Sequence, residues 1–372
     1  MTAGTGHRRA AEALAEAAAR RFPAATVHCV DLLAYTPAWL RWFYPRLYEW
    51  VVRCAPLGWA LAFSLTDTAW VLRLLQPGRR VWNRLMARRF LRWVEAAQPD
   101  VVIATHFFPA DVFRTARRQG RLRARIVVVV TDLFAHRLWT KSEADAVVVG
   151  SDQTSRMCQA RGIAASCLHV LGIPVGGRFA HVPDRALARR SLGLDPSRRV
   201  VLIAGGGMGV GPYLELARRF AAQEAKRPGQ IQLAIVCGHN QRLRGPLEHV
   251  RQTTAMPIHV LGFVDTMPEL MAASDVLVTK AGGMTVTEAL AVGLPMIFCD
   301  VIPGHERFNA DDVVRQGAGI MSHNAAEAVT QALGLFEEPE RLGAMRDRAL
   351  AIGHPNAADE IIRQCVIGGH HV

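Results

Sequence analysis

The sequence predicts an α/β protein of two parallel-sheet domains. Three observations carry that reading: the length, the alternation of short apolar runs with longer amphipathic stretches, and glycine-rich loops directly after two of those runs. At 372 residues the chain exceeds one typical domain of about 100–200 residues, so two are expected. Half of the residues are apolar and a fifth are charged, the balance of a globular protein. The 31 Gly and 19 Pro show no period, which excludes collagen-like and low-complexity chains.

β-Branched runs occur at Thr26–Val30, Val101–Thr105, Ile126–Val130 and Ala146–Gly150, then at Val200–Ala204, Ile231–Cys237, Ile258–Leu261, Val276–Thr279 and Pro295–Cys299. Such runs separated by helical stretches are the pattern of parallel sheets covered on both faces. Ile173–Arg199, rich in Gly, Pro and Arg, reads as the interdomain connection. Domains are therefore expected at 1–175 and 176–354, facing each other across a cleft, with a helix and tail at 355–372. Ligands of such folds bind beyond the carboxyl ends of the strands, so the loops there are where chemistry is expected.

The N-terminus is unusual. Gly4-Thr-Gly6 and His7 run at once into the Ala-rich helix Arg8–Arg21, so a glycine loop stands without the strand that should deliver it. A strand of about 5–10 apolar residues before Met1 is the expectation. A genuine short form is the alternative, and it would fold poorly, because a central strand is buried on both faces.

Charge is uneven. Residues 1–176 hold 24 basic and 12 acidic side chains and residues 177–372 hold 20 of each, so the whole net charge of +12 lies in the first half. Such asymmetry implies a partner of opposite sign, nucleic acid or an anionic membrane surface. Seven widely spaced cysteines without a Cys-x-x-Cys indicate neither a disulfide framework nor a zinc site, and a reducing cytosol fits. The longest stretch free of charge, Gly162–Gly177, falls short of the roughly 20 residues of a spanning helix.

Val276–Pro295 reads as a strand, a Gly282-Gly283 turn, a helix and the start of a second strand. The glycines permit close backbone approach, Thr285 and Thr287 add hydroxyls, and a helix N-terminus offers free N–H groups to a diphosphate. Glu288, one turn inside, can accept from two ribose hydroxyls. On residue types alone, an ordinary βα turn that binds nothing stands beside this reading.

Together with Gly262–Asp275 before it and Ile302–Ala310 after it, this segment resembles the donor site of the monogalactosyldiacylglycerol synthase and processive diacylglycerol glucosyltransferase family. These are GT-B enzymes of glycosyltransferase family 28, related to the MurG transferase of peptidoglycan synthesis. The resemblance spans nearly the whole chain. Gly4-Thr-Gly-His-Arg-Arg-Ala-Ala11, Thr105-His-Phe-Phe-Pro-Ala110, Thr131-Asp-Leu-Phe-Ala-His136 with Trp139, and Gly172-Ile-Pro-Val175 follow in the family's order.

The resemblance implies two Rossmann-like domains and a UDP-hexose donor. Gly205, Gly206, Gly207 and Gly209 then lie against the nucleotide-sugar phosphates, backbone groups of Phe263 and Val264 meet the uracil, Gly282, Gly283 and Thr285 the diphosphate, and Glu288 the ribose. Family members read Pro-Gly-Gln-Glu where this chain has Pro303-Gly-His305-Glu306. That Gln is expected on the sugar hydroxyls, and an imidazole offers different donors and acceptors, which leaves galactose and glucose both open. The implied reaction inverts the anomeric carbon and needs neither metal nor cofactor. No Asp-x-Asp stands near the donor motif, and Asp311-Asp312 reads as the start of a solvated helix.

His7 is the leading candidate for general base, its proton affinity lowered at a helix N-terminus; the bland reading is a helix cap or an acceptor hydrogen bond. Asp132 and His136 are rival or supporting candidates, and His106 is either an acceptor-side residue or a satisfied structural histidine. On the acceptor side, with Trp139, Tyr35–Trp93 holds seven of eight tryptophans and ten arginines against Glu49 and Asp67. Trp39, Trp42, Trp50 and Arg46 belong to this segment, which suits a helix lying in an anionic membrane surface. Core packing of long helices and single-stranded nucleic acid are the competing readings; the resemblance favours a lipid and no nucleic acid.

The sequence is thus expected to encode an enzyme that moves a hexose from a UDP-sugar to the hydroxyl of diacylglycerol, at the inner face of the cell membrane in the cytoplasm. N-Acetylglucosaminyl transfer to an isoprenoid-linked peptidoglycan precursor, or a nucleotide-sugar or lipid-binding protein without turnover, are the alternatives. Pro355–Ile367 reads as a helix, which the resemblance to GT-B enzymes implies crosses back to the first domain, and His370-His371 reads as an idle tail.

Overall fold

The computed structural model describes residues 6–141 and 143–367; Gly4, Thr5 and His370-His371 lie outside the described residues. The chain divides into two compact units. One comprises the chain up to Gly177, residues 303–305 and the segment from Asn356 onward; the other comprises Arg178–Ile302 and Glu306–Pro355.

In the first unit four parallel strands, β1 (Val101–Ala104), β2 (Arg125–Val129), β3 (Ala146–Val149) and β4 (Leu168–Val170), lie in sequence order. β2 and β3 are valine-rich and buried on both faces, as parallel strands between helices must be. The helices are α1 (Gly6–Arg21), α2 (Ala38–Cys54), α3 (Pro56–Thr66), α4 (Ala69–Met86), α5 (Arg88–Ala97), α6 (Phe107–Arg118) and α7 (Asp152–Ala160). α1 buries Ala10, Ala13, Leu14 and Ala17, a single helical stripe. The expected strand at Thr26–Val30 does not form. The segment takes no regular structure, and all but Val30 of it is exposed, so water and not a neighbouring strand meets its backbone. β4 escaped sequence reading because three residues at a sheet edge carry no alternation to detect.

The second unit holds β5 (Arg199–Ala204), β6 (Ile231–Val236), β7 (Ile258–Leu261), β8 (Val276–Thr279), β9 (Met296–Phe298) and β10 (Gly319–Met321). They form one parallel sheet in the order β10-β9-β8-β5-β6-β7. The chain leaves β5 toward β6 on one side and returns through β8 on the other, so the order reverses between β5 and β8, where such sheets bind ligands. Around the sheet lie α8 (Arg185–Ser191), α9 (Tyr213–Glu224), α10 (Arg244–Gln252), α11 (Met267–Ala273), α12 (Gly283–Ala291), α13 (His305–Arg315), α14 (Ala325–Glu337) and α15 (Pro339–Ile352).

The last segment differs from a plain helix: α16 (Ala357–Ile361) passes into a π turn at Ile362–Val366. It belongs to the first unit. Ala358, Ile361, Ile362 and Cys365 share a core with Leu14, Ala17, Val127 and Val129, and Arg125 Nε donates to Cys365 O (2.6 Å). Asp311 and Asp312 lie inside α13, not at its start; Asp312 is buried and bonded to Arg315 and Gln316.

One buried carboxylate joins three elements of the second unit. Asp275, 1% exposed, accepts from Arg189 (2.6 Å), Arg185 (2.9 Å) and the Val200 N–H (2.8 Å). Removing it leaves the nearly buried Arg189 guanidinium without its counter-charge. Asp275→Ala is therefore expected to cost about 3–5 kcal/mol of unfolding free energy, read from the urea midpoint.

Candidate active site

The donor half is built where the strand order reverses. β5 runs into Gly205–Gly211, and two of these glycines admit no side chain. A Cβ at Gly205 would stand 1.9 Å from Val210 O; at Gly209, with φ +57°, it would stand 2.0 Å from Cys237 O. The Gly205 N–H donates to the buried Tyr213 hydroxyl, and Asn240 Nδ2 donates to Gly209 O (3.0 Å). These contacts fix the base of the loop, and the Gly209 N–H closes it on Gly206 O (3.0 Å). Gly206 and Gly207 are half-buried at its crest.

β8, the strand next to β5, runs into Lys280, Ala281, Gly282 and Gly283. Ala281 is buried with φ +66°, a left-handed conformation that costs a non-glycine residue about 1–2 kcal/mol, and Asn309 Nδ2 donates to its carbonyl (3.2 Å). The strained turn starts α12 at Gly282, which has no side-chain cap, so the first amides of the helix remain for an anionic ligand. Thr285 is half-buried, and its Oγ1 lies 4.0 Å from a Cβ built on Gly206. Thr287 is spent inside the helix, donating to Gly283 O (2.9 Å). Glu288 is buried in the second turn. Phe263 is exposed and Val264 half-buried just past β7.

Two motif residues on this side have partners within the fold. Glu306, 2% exposed, pairs with Lys280 and accepts the Ile302 N–H (3.2 Å), so its carboxylate braces the turn. His305 groups with the first unit, its ring edge-on to Trp59 with centroids 6.3 Å apart. Lys280, Tyr213 and Asn240 went unnoticed in the sequence, because their roles depend on neighbours brought in by other strands.

The first unit collects the catalytic candidates at the carboxyl ends of β1 and β2. His7 Nδ1 lies 2.9 Å from Thr105 O and 2.7 Å from Thr131 Oγ1, while Thr105 Oγ1 donates to His7 O (2.9 Å). A carbonyl oxygen only accepts, so Nδ1 carries the proton and Nε2 keeps its lone pair. Burial lowers the His7 pKa to about 4; burial, and not the helix N-terminus named from the sequence, is the leading cause. Thr105 and Thr131 are polar residues ending apolar runs, a signal the sequence offered.

His106 is structural in its contacts. Its Nδ1 accepts the Phe108 N–H (3.0 Å) at the start of α6, and its ring meets His7 edge-on at 4.7 Å. Burial holds its pKa well below the ordinary value. Trp139 is also buried, 6.3 Å from both histidines, so it packs beside His7 instead of anchoring in a surface. Asp132 is half-buried beside Thr131. His136 drops out as a base: Nδ1 accepts the Leu138 N–H (3.2 Å), which leaves Nε2–H to donate to Phe63 O (3.1 Å).

Residues 38–97 form four helices in place of one, with Pro45 inside α2 and Pro77 inside α4. The exposed faces of α2, α3 and α4 carry large apolar side chains, whereas α5 exposes Arg88, Arg89 and Arg92. Among the described residues, fourteen of the nineteen exposed large hydrophobics fall between Trp39 and Leu85, among them Trp42 (60%), Trp50 (59%) and Trp70 (65%). Arg46 lies over the Trp42 ring at 4.4 Å. Tyr35 and Trp93 instead pack on the core beneath. No helix among the described residues is long and apolar enough to cross a membrane, and none of their His, Cys, Asp and Glu side chains group in threes around a metal position.

The two parallel-sheet units, the glycine loop beside an uncapped helix start and the neutral histidine at a strand end belong to a UDP-sugar glycosyltransferase of the GT-B fold, as matches to known families establish. The profile of monogalactosyldiacylglycerol (MGDG) synthase matches residues 7–175, and that of the glycosyltransferase family 28 C-terminal domain matches residues 200–361. Monogalactosyldiacylglycerol synthase 1 of Arabidopsis thaliana is 31% identical over 368 residues, 96% of this chain and 68% of its own. The chain belongs to the monogalactosyldiacylglycerol synthase family. Among solved structures, MurG of Acinetobacter baumannii superposes with TM-score 0.54 at 17% identity, over 74% of this chain and 76% of its own. HepE of Anabaena in complex with UDP gives 0.52 at 17%, over 76% and 81%. These relatives also correct the expected location at the inner face of a cell membrane, since the plant synthases are named as chloroplastic. Cysteine spacing reports a redox environment and not which membrane a chain meets.

Gly209→Ala combines a disfavoured φ with overlap on Cys237 O. It is expected to lower UDP affinity at least tenfold by calorimetric titration, with the second unit still folding cooperatively.

Proposed function

We propose that this chain transfers galactose from UDP-galactose to the free hydroxyl of diacylglycerol, with inversion, at a lipid surface. The observation that carries the reading is the His7 tautomer. With Nδ1–H given to Thr105 O, Nε2 is an unprotonated acceptor at neutral pH, on a ring that packs beside Trp139 and His106.

The acceptor oxygen attacks the anomeric carbon as the bond from that carbon to the β-phosphate oxygen breaks. The hydroxyl proton passes to His7 Nε2, and UDP leaves with the electron pair. The crest of the glycine loop at Gly206 and Gly207 and the uncapped start of α12 meet the charge that grows on the departing diphosphate. Galactose is supported by the names of the curated relatives. His305, where the family is expected to carry Gln, keeps UDP-glucose as the second donor to test.

The lipid surface is supported by the exposed face of α2–α4, where tryptophans alternate with arginines. Tryptophan favours the headgroup region and arginine its phosphates. The protein is expected to float with anionic vesicles, and joint Trp42→Ala, Trp50→Ala and Trp70→Ala substitution to release it; binding unchanged by the triple variant would overturn this face as the docking surface.

Product analysis by mass spectrometry and NMR, with diacylglycerol vesicles and each UDP-hexose, tests the reaction. A β-galactosyl diacylglycerol from UDP-galactose is expected, and no lipid product from either donor would refute the proposal. His7→Ala is expected to remove turnover by more than a thousandfold while UDP still binds. A base must be neutral to act, so kcat/KM is expected to stay level from pH 7 down to about 5 and to fall tenfold per pH unit below about 4, where His7 takes up its proton. A break near 6.5 would assign the limb to an unburied imidazole.

A further inference from the structure

His239 lies in the Cys237–Asn240 turn after β6, and three observations set it apart. Its ring is stacked on that of Phe263, with centroids 4.4 Å apart and planes 13° from parallel. Its backbone N–H donates to Gly207 O (2.9 Å), at the crest of the glycine loop. A Cβ at Gly238 (φ +57°) would stand 2.5 Å from that same carbonyl, so turn and loop touch backbone to backbone and His239 has little room to move away. Both rings are nevertheless exposed, Phe263 at 42%. A parallel aromatic pair left facing water retains apolar area that a flat ligand can cover.

We propose that His239 is a positioning residue for the pyrimidine base of the donor nucleotide. Its imidazole fixes the plane of the Phe263 ring, against which the base lies, and its backbone bond to Gly207 fixes the distance from that plane to the diphosphate loop. The inference rests on the UDP-sugar site described above and extends it to a side chain outside every motif. The strand order makes the juxtaposition possible. β6 lies between β5 and β7, so the turn that leaves β6 opens between the glycine loop and the Phe263 loop.

The test is calorimetric titration of the full chain, His239→Ala and His239→Phe with both UDP and uridine, beside KM and kcat for the UDP-sugar. An aromatic contact of this kind is worth about two- to tenfold in affinity. His239→Ala is expected to weaken UDP and uridine by the same factor within that range, because the loss is at the base, and to raise KM more than it lowers kcat. His239→Phe, which keeps a flat ring but no ring nitrogen, is expected to restore both affinities to within twofold. Unchanged affinity in His239→Ala, failure of the phenylalanine rescue, or a loss confined to UDP each overturns the proposal. An unaltered chain that binds neither UDP nor uridine would instead overturn the donor site itself, and this inference with it.

Discussion

Every strand in both sheets runs parallel to its neighbours, and this constraint decides where chemistry can occur. In a parallel sheet all carboxyl ends lie along one edge, so the loops that leave them open on the same side. Thr105 and Thr131 end adjacent strands and meet at His7. The loops leaving β5 and β8 bring Gly206 beside Thr285. An antiparallel arrangement of the same sequence segments would send half of these loops to the opposite edge.

Buried polar groups in the molecule follow two designs. Asp275 and Glu306 are charged and paired, and each ties backbone to side chains from separate elements. His7 and His106 lie in the opposite regime, where burial disfavours the charge and leaves a neutral ring whose hydrogen bonds define the tautomer. The first design holds β8 at both ends, Asp275 at its start and Glu306 at the turn after it; the second leaves a neutral ring able to accept a proton. His136, with both nitrogens engaged, shows that burial alone does not make a base.

The outer helices of the first unit invert the usual rule of burial. Leu57, Leu61 and Leu65 form one exposed stripe on α3, while Phe63 on the other face packs against Phe134 and His136. Asp67, at the end of that helix, takes both Arg161 nitrogens and the Arg137 N–H. The apolar stripe is therefore rigidly joined to the loop that carries Thr131. A helix loosely appended to the core would expose as much leucine without that connection.

Periodicity and composition determined the fold class, because β-branched runs and glycine punctuation act over a few residues and need no partner to be read. They also located the glycine loops and His7, whose chemistry is visible in residue type and order. Thr26–Val30 shows the limit, since a strand exists only where another strand meets its backbone. The state of His7, the internal pairing of Glu306 and Lys280, the burial of Trp139 and the stack of His239 on Phe263 were decided by tertiary structure alone. Each depends on a neighbour distant in sequence, and the burial, hydrogen bonds and ring contacts that set a side chain's role arise only when the strands between them are in place.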